Sequence, residues 1–143
     1  MRIEGSREFT APRENVFEAL TDPELVATAI PALEAVAVAD VDHWTASVKI
    51  PIGPRLRVGF EILERRAPEH ARLRAHGKNL GGSATMDTCF DLAQRNGRTS
   101  MRYDAEFRLT GILGRLGEHA LRPVAERQVE KLLRAVEQRV NDA

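Results

Sequence analysis

The sequence has one cysteine, Cys89, so it can form no internal disulfide and no multi-cysteine metal site. It has no excess of either charge, with 21 Lys and Arg against 21 Asp and Glu. A nucleic-acid-binding domain normally shows a basic excess or patch, so that class is set aside. The same balance leaves little to attract anionic lipid. No run reaches the roughly 18 apolar residues of a membrane span. The first ten residues, MRIEGSREFT, hold no apolar signal core. The expectation is a cytoplasmic protein with at most peripheral membrane contact. Four scattered histidines, His43, His70, His76 and His119, lack the strand or helix spacing of metal ligands. No metal and no cofactor are expected. Internal repeats and low-complexity linkers are also missing.

What is present is ordinary for a globular chain: 43% hydrophobic and 29% charged residues over 143 positions. That length suits one domain, residues 1–143, with a single sizeable core. Arg2 to Phe9 alternates and reads as a strand. Pro12 suits the first position of a short helix with Val16, Phe17 and Leu20 buried, and Glu14 favours its positive end. Asp22 caps a second short helix that starts at Pro23 and ends at Ile30-Pro31. From Leu33 the period is two. Strands are read at Leu33–Val41, Trp44–Ile52, Arg55–Arg66, Ala71–Gly77, Ser83–Ala93 and Arg98–Leu109, separated by Pro51, Gly53, Pro54, Gly81-Gly82 and other turn residues. Asn96-Gly97 is the strongest hairpin signal.

The last stretch, Ile112 to Val140, reads as one long helix or two stacked ones. Leu113, Leu116, Ala120 and Val124 make one apolar stripe. Ala125, Val129, Leu132, Val136 and Val140 make another, nearly opposite at about 100° per residue. The first stripe is placed against the sheet, and Pro123 is expected to bend the helix where the stripes exchange. The Arg/Glu pattern from Glu126 to Arg139 reads as a solvated face with i,i+4 pairs.

Alternation along every strand means one buried face and one wet face. The fold class is therefore α+β, a seven-stranded curved antiparallel sheet wrapped around a long C-terminal helix, with two short helices after the first strand. Small residues, Ala46, Ala75, Gly77, Ala84 and Ala105, alternate with large ones on the inner face. Such a lining leaves two readings open, an interior ligand cavity or a fully packed core. The candidate cavity wall comprises Val48, Ile50, Val58, Phe60, Leu73, Ala75, Met86, Thr88, Phe90, Tyr103, Ala105, Phe107, Leu113, Leu116, Ala120 and Val124.

Catalytic candidates are few. His76 and Tyr103 are the polar residues placed to reach the cavity, and no catalytic residue is assigned. Cys89 alternates with the inner set, so it faces outward or lies under a helix, and it has no histidine partner to activate it. Gly111, Gly114 and Gly117 lack the arrangement of a phosphate loop. They are expected to let the helix start approach the sheet closely.

The order of strand, two short helices, six strands and long helix resembles the helix-grip fold of the START-like and birch-pollen-allergen-like (SRPBCC) superfamily. The segments FTAPRENVFEALTDPELVATAIPALE, WTASVKIPIGPRLRVGFEI and LRAHGKNLGGSATMDTCFDL resemble the CoxG family of carbon monoxide dehydrogenase subunits. The turn Asp22-Pro23-Glu24, Ile30-Pro31, Gly53-Pro54 and the Gly77 to Gly82 turn fall where that family has them. Ala32 departs from the family's usual glycine. Family members often carry a further membrane-associated segment beyond the grip helix, whereas this sequence runs only to Ala143. The resemblance implies a non-catalytic binding or accessory role. The implied ligand is a hydrophobic lipid or quinone-like molecule, and the implied partner is a molybdenum hydroxylase-type enzyme. The wider superfamily also contains polyketide cyclases and hydrolases, which leaves a small enzyme using the same cavity as the alternative.

Overall fold

The computed structural model describes residues 1–30, 33–49, 56–79, 81–115 and 117–141, without the side chains of 79, 112 and 113. The elements in chain order are β1 (Arg2–Phe9), α1 (Arg13–Leu20), α2 (Pro23–Thr28), β2 (Leu33–Asp40), β3 (His43–Val48), β4 (Leu56–Arg66), β5 (His70–Asn79), β6 (Gly82–Arg95), β7 (Arg98–Leu109), α3 (Gly111–Arg115) and α4 (Glu118–Asn141). The strands form one antiparallel sheet in the order β1-β7-β6-β5-β4-β3-β2, wrapped around α4. No helix among the described residues is long and apolar enough to cross a membrane.

Local chemistry accounts for the element boundaries. Asp22 accepts a hydrogen bond from the Glu24 N–H at 3.0 Å, and Pro23 opens α2 where no N–H is needed. Asn96 (φ 53°) and Gly97 (φ 76°) take the left-handed conformations that a two-residue hairpin requires, pairing Arg95 with Arg98. Strands β5 and β6 run further than the alternation suggested, because their pairing continues to Asn79 and Gly82 at the turn. The β3 strand ends at Val48 rather than Ile52, and the expected break at Pro51, Gly53 and Pro54 lies outside the described residues.

The C-terminal stretch is two helices, and the break is at Gly117 (φ 80°). Pro123 lies inside α4 without ending it. A positive φ stops a helix, whereas a proline near the start of one removes a single backbone bond. The start of α3 is held on the sheet through glycines. A Cβ on Gly111 would stand 2.7 Å from the Gly81 carbonyl oxygen, and one on Gly114 2.8 Å from that of Leu109. The Thr110 N–H donates to the Ser83 carbonyl at 2.9 Å beside these contacts.

The interior divides in two. One core joins Phe9, Val16, Phe17 and Leu20 to Phe90, Leu92 and Met101 of the sheet and to Leu133, Val136 and Val140 of α4. Phe17 meets Phe90 edge-on, with ring centroids 5.8 Å apart. The other joins Trp44, Ala46, Phe60, Ile62 and Ala75, with Trp44 stacked on Phe60 at 5.4 Å. The first core lies under the last turns of α4 and the second lines the sheet beneath β3 to β5.

Candidate functional site

Between the sheet and the middle of α4 lies a cavity of about 280 Å³. Its sheet wall alternates along the strands: Val58 and Phe60 on β4, Ala75 and Gly77 on β5, Ala84 and Met86 on β6, Phe107 and Leu109 on β7. Its end wall is Val26, Ala29 and Ile30, at and just beyond the end of α2. Its roof is Ala125, Gln128, Val129 and Leu132. Those four follow i, i+3, i+4, i+7 spacing, which is one face of a helix.

Small side chains create the space. Ala75 and Ala84 leave room where longer residues would meet α4. Gly77 contributes differently, since a Cβ there would lie 3.0 Å from Val58 Cγ2 and 3.2 Å from the Arg57 carbonyl oxygen. Its missing side chain lets β4 side chains close in beside the cavity.

Of the positions expected on the cavity wall, Val58, Phe60, Ala75, Met86 and Phe107 line it. Val48 and Ala105 are buried elsewhere on the inner face. Phe90 belongs to the first core, Tyr103 packs against it, and Leu73 touches both cores. Thr88 is on the inner face between Met86 and Phe90, its Oγ1 buried without a protein partner. Ile50, Leu116 and the Leu113 side chain lie outside the described residues.

The helix side needs correction. Ala120 is exposed and Val124 is 40% exposed, so these two do not face the sheet. The second stripe does, because Leu133, Val136 and Val140 pack into the first core and fix the rotation of the whole helix. The sequence marked Ala125, Val129 and Leu132 as a second apolar stripe, but the expected cavity wall took only the first stripe, and Gln128 was not considered. A glutamine inside an apolar stripe was the available signal.

His76 does not reach the cavity. It is exposed on the outer face, its Nδ1 2.9 Å from Thr85 Oγ1. Pleating puts it opposite Ala75 and Gly77. Other ionisable groups among the described residues lie outside as well. His43 Nδ1 stands 2.8 Å from Asp40 Oδ1, a contact that raises the imidazole pKa and lowers that of the carboxyl. Arg74 pairs with Asp87 at 2.8 Å. Burial pushes the Cys89 thiol up, the reverse of an activated nucleophile. Among the described residues no titratable side chain lines the cavity, and no group of three or more His, Cys, Asp or Glu is disposed to hold a metal.

Chemically, such a cavity can take up an apolar molecule by removing it from water, at roughly 25 cal/mol per Å² buried. Its lining among the described residues offers no acid, base or nucleophile.

The family model for CoxG, a carbon monoxide dehydrogenase subunit, matches residues 5–141. A search of curated protein sequences finds no match. Among solved structures, a conserved protein from Geobacillus kaustophilus superposes with a TM-score of 0.87 at 19% identity, over 99% of this chain and 96% of that one. A protein from Thermus thermophilus gives 0.75 at 18% identity, over 99% and 98%. A START superfamily protein from Mycobacterium smegmatis gives 0.71 at 13% identity, over 99% and 97%. At these identities the structural matches establish the fold alone.

Proposed function

Because the chain belongs to the CoxG family of carbon monoxide dehydrogenase subunits, we propose that it is a non-catalytic binding protein for a hydrophobic lipid or quinone-like molecule. In this reading it serves a molybdenum hydroxylase-type enzyme in assembly, recruitment or ligand handling. The observation that carries the binding reading is the apolar cavity between β4–β7 and α4, lined by α2 at one end. At about 280 Å³ it is near the lower end of the ~300–1,000 Å³ typical of small-molecule sites. That volume suits a ring system or part of a chain, not an entire phospholipid. The lack of titratable groups among the described wall residues favours binding over cyclase or hydrolase chemistry, which needs a positioned acid or base.

Native mass spectrometry of freshly purified protein tests this reading. The expected result is a population carrying added mass that is released on denaturation and extracts into organic solvent as a lipid or quinone. Bare protein that also fails to take up added quinone or fatty alcohol would contradict it.

A further inference from the structure

Two residues with a hydroxyl or amide side chain border the cavity among the described residues, Thr85 and Gln128. The Thr85 hydroxyl is engaged by His76 on the outer face, at 2.9 Å. Gln128 differs. Its Oε1 is buried and has no hydrogen-bond partner within the protein. Ala125, Val129 and Leu132 surround it on the same face of α4. A buried carbonyl without a partner destabilises a fold, and an apolar side chain of similar shape would remove that penalty. Polarity kept at a structural cost is the pattern of a functional position.

We propose that Gln128 orients the ligand, and that the ligand is an uncharged hydrophobic molecule bearing a hydroxyl or carbonyl oxygen. The inference rests on the binding role proposed above. A primary amide presents an acceptor oxygen and a donor NH₂ at one place, so it serves either oxygen type. It carries no charge to offset an ionised ligand. A carboxylate entering the cavity would lose its hydration against an apolar wall with no counter-charge among the described residues. The cavity therefore selects a neutral molecule over a fatty-acid anion of similar size, and Gln128 fixes which end of it lies against α4.

The test uses three probes of one shape, naphthalene, 2-naphthol and 2-naphthoate, titrated calorimetrically into the full chain and into Gln128→Leu. The wild-type protein should prefer 2-naphthol over naphthalene by about five- to tenfold, the value of one buried hydrogen bond. It should bind 2-naphthoate most weakly. Gln128→Leu should keep or gain naphthalene affinity, lose the preference for 2-naphthol, and unfold at the same or a higher temperature without ligand. Gln128→Met reads the same selectivity should the leucine variant fold poorly. A preference that survives both substitutions, or tight 2-naphthoate binding, overturns the role given to Gln128 while leaving the binding reading intact. Binding of no probe by the wild-type protein overturns both.

Discussion

Gly5 sits opposite Tyr103 across β1 and β7, and the phenol ring lies over the place where a side chain on Gly5 would be. A Cβ there would stand 2.6 Å from the ring's Cζ. Tyr103 packs against the first core, so the ring cannot swing aside without loosening that core. Gly5→Ala should therefore destabilise the fold by about 1–3 kcal/mol, an overpacking penalty. In the background of Tyr103→Leu the same change should cost much less. A double-mutant cycle by urea denaturation measures the coupling. Equal costs in both backgrounds would mean that the ring does not enforce the glycine. Alternation placed Gly5 on one side of β1, but its partner was not legible, because register between the first and last strands spans almost the whole chain. Gln128 was harder still. One polar residue in an apolar stripe looks like a boundary position until the stripe is known to face inward.

The same long-range dependence governs the elements. Every strand was legible from its period, since a one-residue slip would turn the whole hydrophobic set outward. The long helix was not, because it carries two apolar stripes and its sequence does not say which one meets the sheet. Packing against α1 and the first core decides that, through Leu133, Val136 and Val140. A second restraint comes from β1. Arg7 donates to Glu130 at 2.9 Å and to Glu137 at 2.6 Å, clipping two turns of α4 to the edge of the sheet. Arg7 is the largest influence on the Glu130 carboxyl and holds it below its usual range. Arg7→Met keeps much of the apolar stem and removes the charge. At neutral pH it should lower stability by on the order of 1 kcal/mol, since these groups are partly exposed. For a chain of this length that is about 2–5 °C in melting temperature. The sign with pH follows from the lowered carboxyl: the stabilisation is present above its ordinary value of 4.5 and is lost as pH falls through the folded value. The gap between wild type and Arg7→Met, followed by thermal unfolding from pH 7 downward, should close in acid. A gap that stays constant or widens would show that Arg7 acts through packing and not through charge.

At the scale of the whole molecule, one sheet serves two purposes along a single helix. Under the end of α4 its inner face is filled by Phe90, Leu92 and Met101. Under the middle of α4 the small residues Ala75 and Ala84 face Ala125, Gln128 and Val129 across open space. The sequence held the small residues in plain view, and they left a cavity and a packed core equally open. Only the stand-off of the helix separates the two, and that distance is a tertiary property. Ala120, which is exposed, cannot report on the cavity, whereas Ala125 can. Leucine at Ala125 keeps good helix propensity and projects into the space a ligand would use. The most direct test is a fluorescence titration of the neutral probe N-phenyl-1-naphthylamine into wild type and Ala125→Leu, with the melting temperature of each unliganded protein recorded on the same samples. Filling a cavity adds apolar contact without strain, so the variant should be as stable as wild type or more so, and should bind the probe at least about tenfold more weakly, a difference near 1.4 kcal/mol. Unchanged probe affinity together with a fall of several degrees in melting temperature, the mark of an overpacked interior, would contradict a ligand cavity beneath α4.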